Sequence, residues 1–296
     1  MEKLMTIQQL VVTHSNDTLL DIPELSLFKG CQIALVGGNG SGKTTLLESI
    51  LGLRKTAGGK ISLHCDKRKL GVQLQNATYN PEILVSDVVK LHSTLYRQGD
   101  CDLYDSFMLK DLAHKKYGRL SRGQKQRVDL YVALAHKPST LILDEPGTGL
   151  DKHFYEQFLH VISHYQDNPD ITIVMASHTP SEVENASHIL WIEDGKVQDF
   201  TTTELMLNKH LGSFKVHICY QPHFDIDEQL SALSRLAGFR DVRHPASHEA
   251  VIYGDESLRQ PMLELAAEYS FPTFSLSKTS AEDFLELVSA NGLTKH

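Results

Sequence analysis

The sequence predicts an α/β fold with an antiparallel β edge, followed by a smaller α+β domain, and three observations carry that prediction. Residues 37–44 read Gly-Gly-Asn-Gly-Ser-Gly-Lys-Thr and lie between a short apolar strand, Gln32–Val36, and a helical pattern that opens at Thr44. A second apolar strand at residues 141–144 ends in Asp144 and runs straight into Glu145 and Pro146. From residue 214 onward the pattern becomes β-α-β-β-α-β, with no phosphate-binding, catalytic or metal motif.

Residues 6–13 and 24–28 alternate as strands and form the antiparallel edge ahead of the glycine-rich segment. Residues 59–64 and 69–74 predict a further strand pair, and residues 84–96 and 102–113 have helical period. A third helix opens after Leu120-Ser121-Arg122-Gly123-Gln124 and leads into the Asp144 strand. Residues 171–176 are another buried strand, closed by Ser177 and His178. A helical turn at 181–185 precedes two strands, 189–193 and 196–200, joined by an Asp194-Gly195 hairpin turn. A short helix from Thr203 leads to a domain end near Gly212, so the first domain is residues 1–212 and the second 213–296. In the second, strands are expected at 214–220, 240–243, 249–254 and 273–276, and helices at 226–237 and 258–269. A last helix starts at Ser280, with Ser280 and Asp283 spaced as a cap. This order is that of a ferredoxin-like half-sandwich.

The spacing G-x-x-x-x-G-K-T is that of a phosphate-binding loop. Its glycines let successive N–H groups point into one anion-sized hollow at the positive end of a helix dipole. Lys43 would reach the β- and γ-phosphates of a nucleotide, and the Thr44 hydroxyl would ligate Mg²⁺. Asp144, at the tip of a strand beside that loop, would hold the metal shell, while Glu145 would orient and polarise the attacking water.

In this order the segments resemble the ATPase subunit of an ABC transporter, over roughly residues 4–210. Gly37, Gly38, Asn39, Gly40, Ser41, Gly42, Lys43 and Thr44 match the Walker A motif, with Thr45 adjoining, and residues 141–145 match Walker B with its catalytic glutamate. Residues 120–124 match the signature, Gly149-Leu150-Asp151 the D-loop, and His178 the switch histidine. Gln75 matches the Q-loop glutamine, a ligand of nucleotide and metal, with Gln73 the competing position. His14 stands where the family usually stacks an aromatic side chain on adenine. The signature departs from the family in carrying Arg122 for glycine, which resembles the drug- and antibiotic-exporting branch. Ser121, Gly123 and Gln124, which the family presents to the nucleotide of a facing subunit, are retained.

The resemblance implies a P-loop NTPase core with an α-helical signature subdomain at about residues 76–136, ATP and Mg²⁺ as cofactors, and Glu145, His178 and Lys43 as catalytic residues. It also implies a multi-span membrane subunit as partner, a homodimer or a heterodimer with a related ATPase, and a cytoplasmic place at the inner face of the cell membrane. Export of a peptide, drug or antibiotic is the expected task. A soluble non-transport ABC ATPase, or an importer ATPase with a regulatory C-terminal domain, is the alternative.

Composition agrees with this. The chain has 296 residues, 41% of them hydrophobic and 22% charged, as in ordinary globular proteins. A net charge of −8 without a basic stripe argues against nucleic acid as a partner. Four scattered cysteines without C-x-x-C spacing read as reduced thiols, not a disulfide frame or zinc site, and the 16 histidines show no metal-ligand spacing. No apolar run approaches the roughly 20 residues that span a bilayer, so a pore must belong to another polypeptide.

Overall fold

A computed structural model describes residues 2–15, 17–75, 79–97, 99–221 and 226–293. It divides into two compact units, residues 1–200 and 201–296. The first unit opens with a long antiparallel hairpin, β1 (Lys3–His14) and β2 (Asp17–Phe28), and then β3 (Gln32–Val36). Helix α1 (Lys43–Ile50) follows, then β4 (Gly58–Leu63) and β5 (Leu70–Gln73). Helices α2 (Val85–Tyr96), α3 (Cys101–Ser106) and α4 (Arg122–Leu134) come next, and then β6 (Thr140–Asp144). The unit closes with α5 (Lys152–Gln166), β7 (Thr172–Ala176), α6 (Pro180–Glu184), β8 (His188–Glu193) and β9 (Lys196–Thr202), the last strand crossing its boundary.

Six strands form one sheet in the order β5-β6-β7-β3-β8-β9, and β5 through β8 run parallel. Both faces of this sheet are covered, so β3, β6 and β7 are buried at every position and mostly apolar. On β6, Ile142 faces a core shared with α1 and the β1–β2 hairpin, while Leu141 and Leu143 face the helices. On β7, Val174 and Ala176 take the first side, Ile173 and Met175 the second. The antiparallel edge is a separate three-stranded sheet, β2-β1-β4.

Two expectations change here. The strands near residues 59–64 and 69–74 do not pair with each other: β4 pairs with β1, and β5 runs parallel to β6. Alternation identifies a strand but not its partner. The helix expected at 102–113 is broken, because α3 stops at Ser106 and Met108 turns to φ +50° before a 3₁₀ turn at Leu109–Leu112. Left-handed backbone cannot continue a right-handed helix. Between β8 and β9, Asp194 and Gly195 both hold positive φ, the conformation that a two-residue hairpin turn demands.

The second unit contains α7 (Thr203–His210), β10 (Phe214–Cys219), α8 (Ile226–Leu233), β11 (Phe239–Arg243), β12 (Glu249–Gly254), α9 (Glu256–Glu268), β13 (Thr273–Lys278) and α10 (Ala281–Leu293). Its antiparallel sheet has the order β11-β12-β10-β13. Phe214, Val216 and Ile218 of β10 pack with apolar residues of α8 and α9. Ser280 and Asp283 cap α10 reciprocally, the Ser280 N–H donating to Asp283 Oδ2 at 2.8 Å. The division falls twelve residues before the Gly212 boundary read from the sequence, because α7 lies against α10, where His210 faces the ring of Phe284.

Candidate functional site

The glycine-rich loop leaves the C-terminal end of β3 and enters α1 through Gly42 at φ +106°. At Gly37 a Cβ would stand 2.2 Å from the Ile192 carbonyl oxygen, so only glycine fits where the loop begins. The loop curls around its own lysine: Lys43 Nζ donates to the Gly37 and Gly38 carbonyls at 2.8 and 3.0 Å. Lys43 is buried, and that burial lowers its pKa, with Glu145 and Asp144 opposing the shift. Asn39, Gly40, Ser41, Gly42, Lys43, Thr44 and Thr45 line a cleft of about 360 Å³ together with Leu19, Gln75 and Glu145.

Since β7 separates β3 from β6, the loop, Asp144 and the segment after β7 share one edge of the sheet, the edge where α/β folds bind ligands. Asp144 is fully buried, and its Oδ2 accepts a 2.8 Å hydrogen bond from Thr44 Oγ1. Its Oδ1 has no hydrogen-bond partner among the described residues. Burial, with a smaller contribution from Glu145, raises the Asp144 pKa. A buried carboxylate oxygen left over beside a hydroxyl is the donor set a hard cation takes, so Mg²⁺ fits between Thr44 and Asp144.

Glu145 follows the strand at φ +49°, an uncommon conformation for a residue with a side chain, and its N–H donates to the Ala176 carbonyl at 3.0 Å. His178 Nδ1 lies 3.7 Å from Glu145 Oε1, and the Thr148 hydroxyl donates to Glu145 Oε2 at 3.4 Å. Gln75 and Gln73 part company: Gln73 is buried in β5 and donates to the Asp144 carbonyl, while Gln75 is exposed and lines the loop cleft. His14 ends β1 as an exposed residue and is not part of that cleft lining, where Leu19 stands instead.

Ser121 caps α4 in a capping box, its Oγ accepting from the Gln124 N–H at 3.3 Å and its own N–H donating to Gln124 Oε1 at 3.2 Å. Gly123 lies so close to Gly149 that a Cβ would meet its carbonyl oxygen at 2.5 Å. Ser121, Gly123 and Gln124 thus share a second depression with Gly149, Leu150 and Asp151. Arg122, the first residue of α4, is exposed, and the aliphatic part of its side chain passes over Gly149.

Three features escaped the sequence reading. Tyr117 OH donates to Asp129, 2.9 Å from each carboxylate oxygen, and burial pushes the Asp129 pKa up to about 7. The pair lines a third cleft with Gln75, Arg122 and Glu145. Buried Glu182 accepts from Ser177 Oγ, which in turn accepts from the Thr179 N–H at 2.9 Å, fixing the turn that carries His178. Thr148 is the third. None of Tyr117, Asp129, Thr148 and Glu182 belongs to a motif of its own, although Thr148 follows Glu145 by three residues, so only the helical patterning around Asp129 hinted at anything.

Comparison with known proteins places this geometry in a family. Residues 20–148 match the family model described as ABC transporter. A protein named as a probable sulfate/thiosulfate import ATP-binding protein in Chlorella vulgaris is 32% identical over 194 residues, 60% of this chain and 82% of the relative. The energy-coupling factor transporter ATP-binding protein EcfA2 of Ligilactobacillus salivarius is 28% identical, covering 64% of this chain and 76% of its own. A lantibiotic transport ATP-binding protein of Streptococcus pyogenes is 29% identical, covering 66% and 89%. Among solved structures, a dimeric post-hydrolysis ATP-binding cassette bound to ADP and Pi has the same fold at a TM-score of 0.59 and 22% identity, over 67% of this chain and 98% of that one. The chain therefore belongs to the ABC transporter ATP-binding family, and its enzymatic activity is hydrolysis of ATP bound with Mg²⁺.

Proposed function

We propose that this ATPase subunit powers export of a peptide, drug or antibiotic through a separate multi-span membrane subunit, and that it works as a head-to-tail homodimer. The observation that carries the dimer is the separation of two half-sites: the loop cleft and the Ser121–Gly149 depression share no lining residue. Each ATP would lie between the loop of one subunit and residues Ser121–Gln124 of the other. Thr44, Asp144 and Gln75 would hold Mg²⁺, which neutralises phosphate charge when bound. Lys43 and the loop N–H groups bind the β- and γ-phosphates. Glu145 takes a proton from water as the water oxygen attacks the γ-phosphorus, and the bond to the bridging oxygen breaks to leave ADP and phosphate. His178, within reach of Glu145, positions that water. Gly123 gives the close approach to Gly149 that keeps the signature beside the D-loop.

Two observations support export: Arg122 in the signature, and a relative named for lantibiotic transport. The relative named for sulfate/thiosulfate import supports the opposite direction. Among the described residues no helix is long and apolar enough to cross a membrane, in keeping with a peripheral subunit.

The shared site has a direct test by mixing variants. Lys43→Ala disables one half-site and Ser121→Arg the other, so each variant alone should be inactive. A mixed dimer retains one site made of two intact halves, and mixing should restore about a quarter of wild-type ATPase activity on random pairing. No recovery on mixing, from variants that each remain folded, rejects the composite site. Direction is read with the co-purified membrane subunit in vesicles: inside-out vesicles should accumulate substrate on the addition of ATP, and an importer would not do so.

A further inference from the structure

The second unit carries a side-chain cluster that the ATPase reading leaves unused. β10 turns Phe214, Val216 and Ile218 toward α8 and α9, so the alternate residues Lys215, His217 and Cys219 stand on the other face of the sheet. Antiparallel register sets Glu249 of β12 directly opposite Cys219 and one step diagonal from His217. One ligand atom from each of His217, Cys219 and Glu249 lies within 4.8 Å of the other two. His217 Nε2 already meets Glu249 Oε1, and all three residues are half-buried. At the far end of the same face, Asp283 is committed to Lys215, Tyr253 and Ser280, which leaves the His217–Glu249 end as the open part. On β13, Thr273 and Ser275 stand opposite Cys219 and His217 and are exposed, so nothing bulky closes the approach from that strand.

We propose that His217, Cys219 and Glu249 form a binding site for a late first-row divalent metal ion of the zinc type. The donor set decides the class. A thiolate with an imidazole suits Zn²⁺ and its neighbours, whereas Mg²⁺ and Ca²⁺ take oxygen donors and would find one carboxylate here. Ligand atoms around a tetrahedral zinc stand about 3.3–3.8 Å apart, given Zn–N near 2.0 Å and Zn–S near 2.3 Å. The three groups are therefore within a small side-chain rotation of that geometry. On binding, the Cys219 thiol releases its proton to solvent, and His217 ligates as neutral imidazole through Nε2. The fourth position faces solvent, so it takes water and the ion exchanges. The spacing rules that exclude zinc motifs from the sequence fail here because the third ligand comes from another strand, 30 residues away from Cys219.

The rival arrangement is a plain His217–Glu249 ion pair beside an idle thiol, and cobalt(II) separates the two. Titrating the metal-free full-length protein with Co²⁺ should give a saturable thiolate-to-cobalt charge-transfer absorption at one equivalent, bleached by Zn²⁺. Cys219→Ser should abolish the band, and Glu249→Gln should weaken Co²⁺ binding at least tenfold. Cys101→Ser, which alters an exposed thiol on α3, should leave the band intact. No band in the wild type, or a band that survives Cys219→Ser, overturns the site. Circular dichroism of each variant separates lost ligation from lost fold.

Discussion

Lys43 spends two of its three donors on the carbonyls that its own loop presents, and that choice sets what its loss should do. Lys43→Ala removes the proposed charge-assisted partner of the β- and γ-phosphates and should weaken ATP binding by about 1.5–3 kcal/mol. A nucleotide titration with unchanged affinity would take Lys43 out of that role. Its position was legible from eight consecutive residues, because a phosphate loop encodes its shape locally through glycine spacing. Asp129 was not legible: it occurs on a helix whose neighbours Val128, Leu130 and Tyr131 are also buried, and only the folded chain brings Tyr117 to it. Its pKa of about 7 lies above the ordinary carboxylate value, so the unfolded chain releases this proton first as pH rises. Asp129 therefore costs the fold stability progressively between about pH 4 and pH 7, and the cost is absent at lower pH. Urea midpoints measured across that window should fall less for Asp129→Asn than for the wild type.

Among the elements, α4 joins the most constraints in the fewest residues. Its first turn contains the Ser121–Gln124 capping box, Arg122 lies over Gly149, and Gly123 touches the Gly149 carbonyl. Gly123→Ala should push the 149–151 turn away from the helix, because a Cβ at 2.5 Å from a backbone oxygen cannot be absorbed by a side-chain rotation. A loss of about 1–3 kcal/mol in stability is expected from such overpacking, with a larger fall in ATPase rate than in ATP affinity. Thermal unfolding and steady-state kinetics on one preparation measure both. Patterning found the existence and type of most elements, since periods of 2.0 and 3.6 residues are local properties. It did not find the partner of β5 or the break at Met108, because pairing and a single left-handed residue are decided by tertiary packing.

At the scale of the whole chain, the boundary matters for any truncation. Met206 and Leu211 are fully buried and α7 lies against α10, so a cut after Gly212 would strip α7 of that cover, while a cut after Thr202 keeps β9 whole. A fragment of residues 1–202 should fold and bind ATP with near wild-type affinity, whereas residues 1–212 should be the more aggregation-prone of the two. Light scattering and ATP titration compare them. The two half-sites, meanwhile, make catalysis a matter of numbers. On the proposed composite site, a chain that presents a phosphate loop on one surface and a signature on another has no complete centre of its own, so total ATPase rate in dilute solution should rise with the square of protein concentration. A membrane subunit that holds two copies side by side replaces that bulk concentration with a high local one. Fuel is then burned where the pore is, and a subunit adrift from its transporter idles.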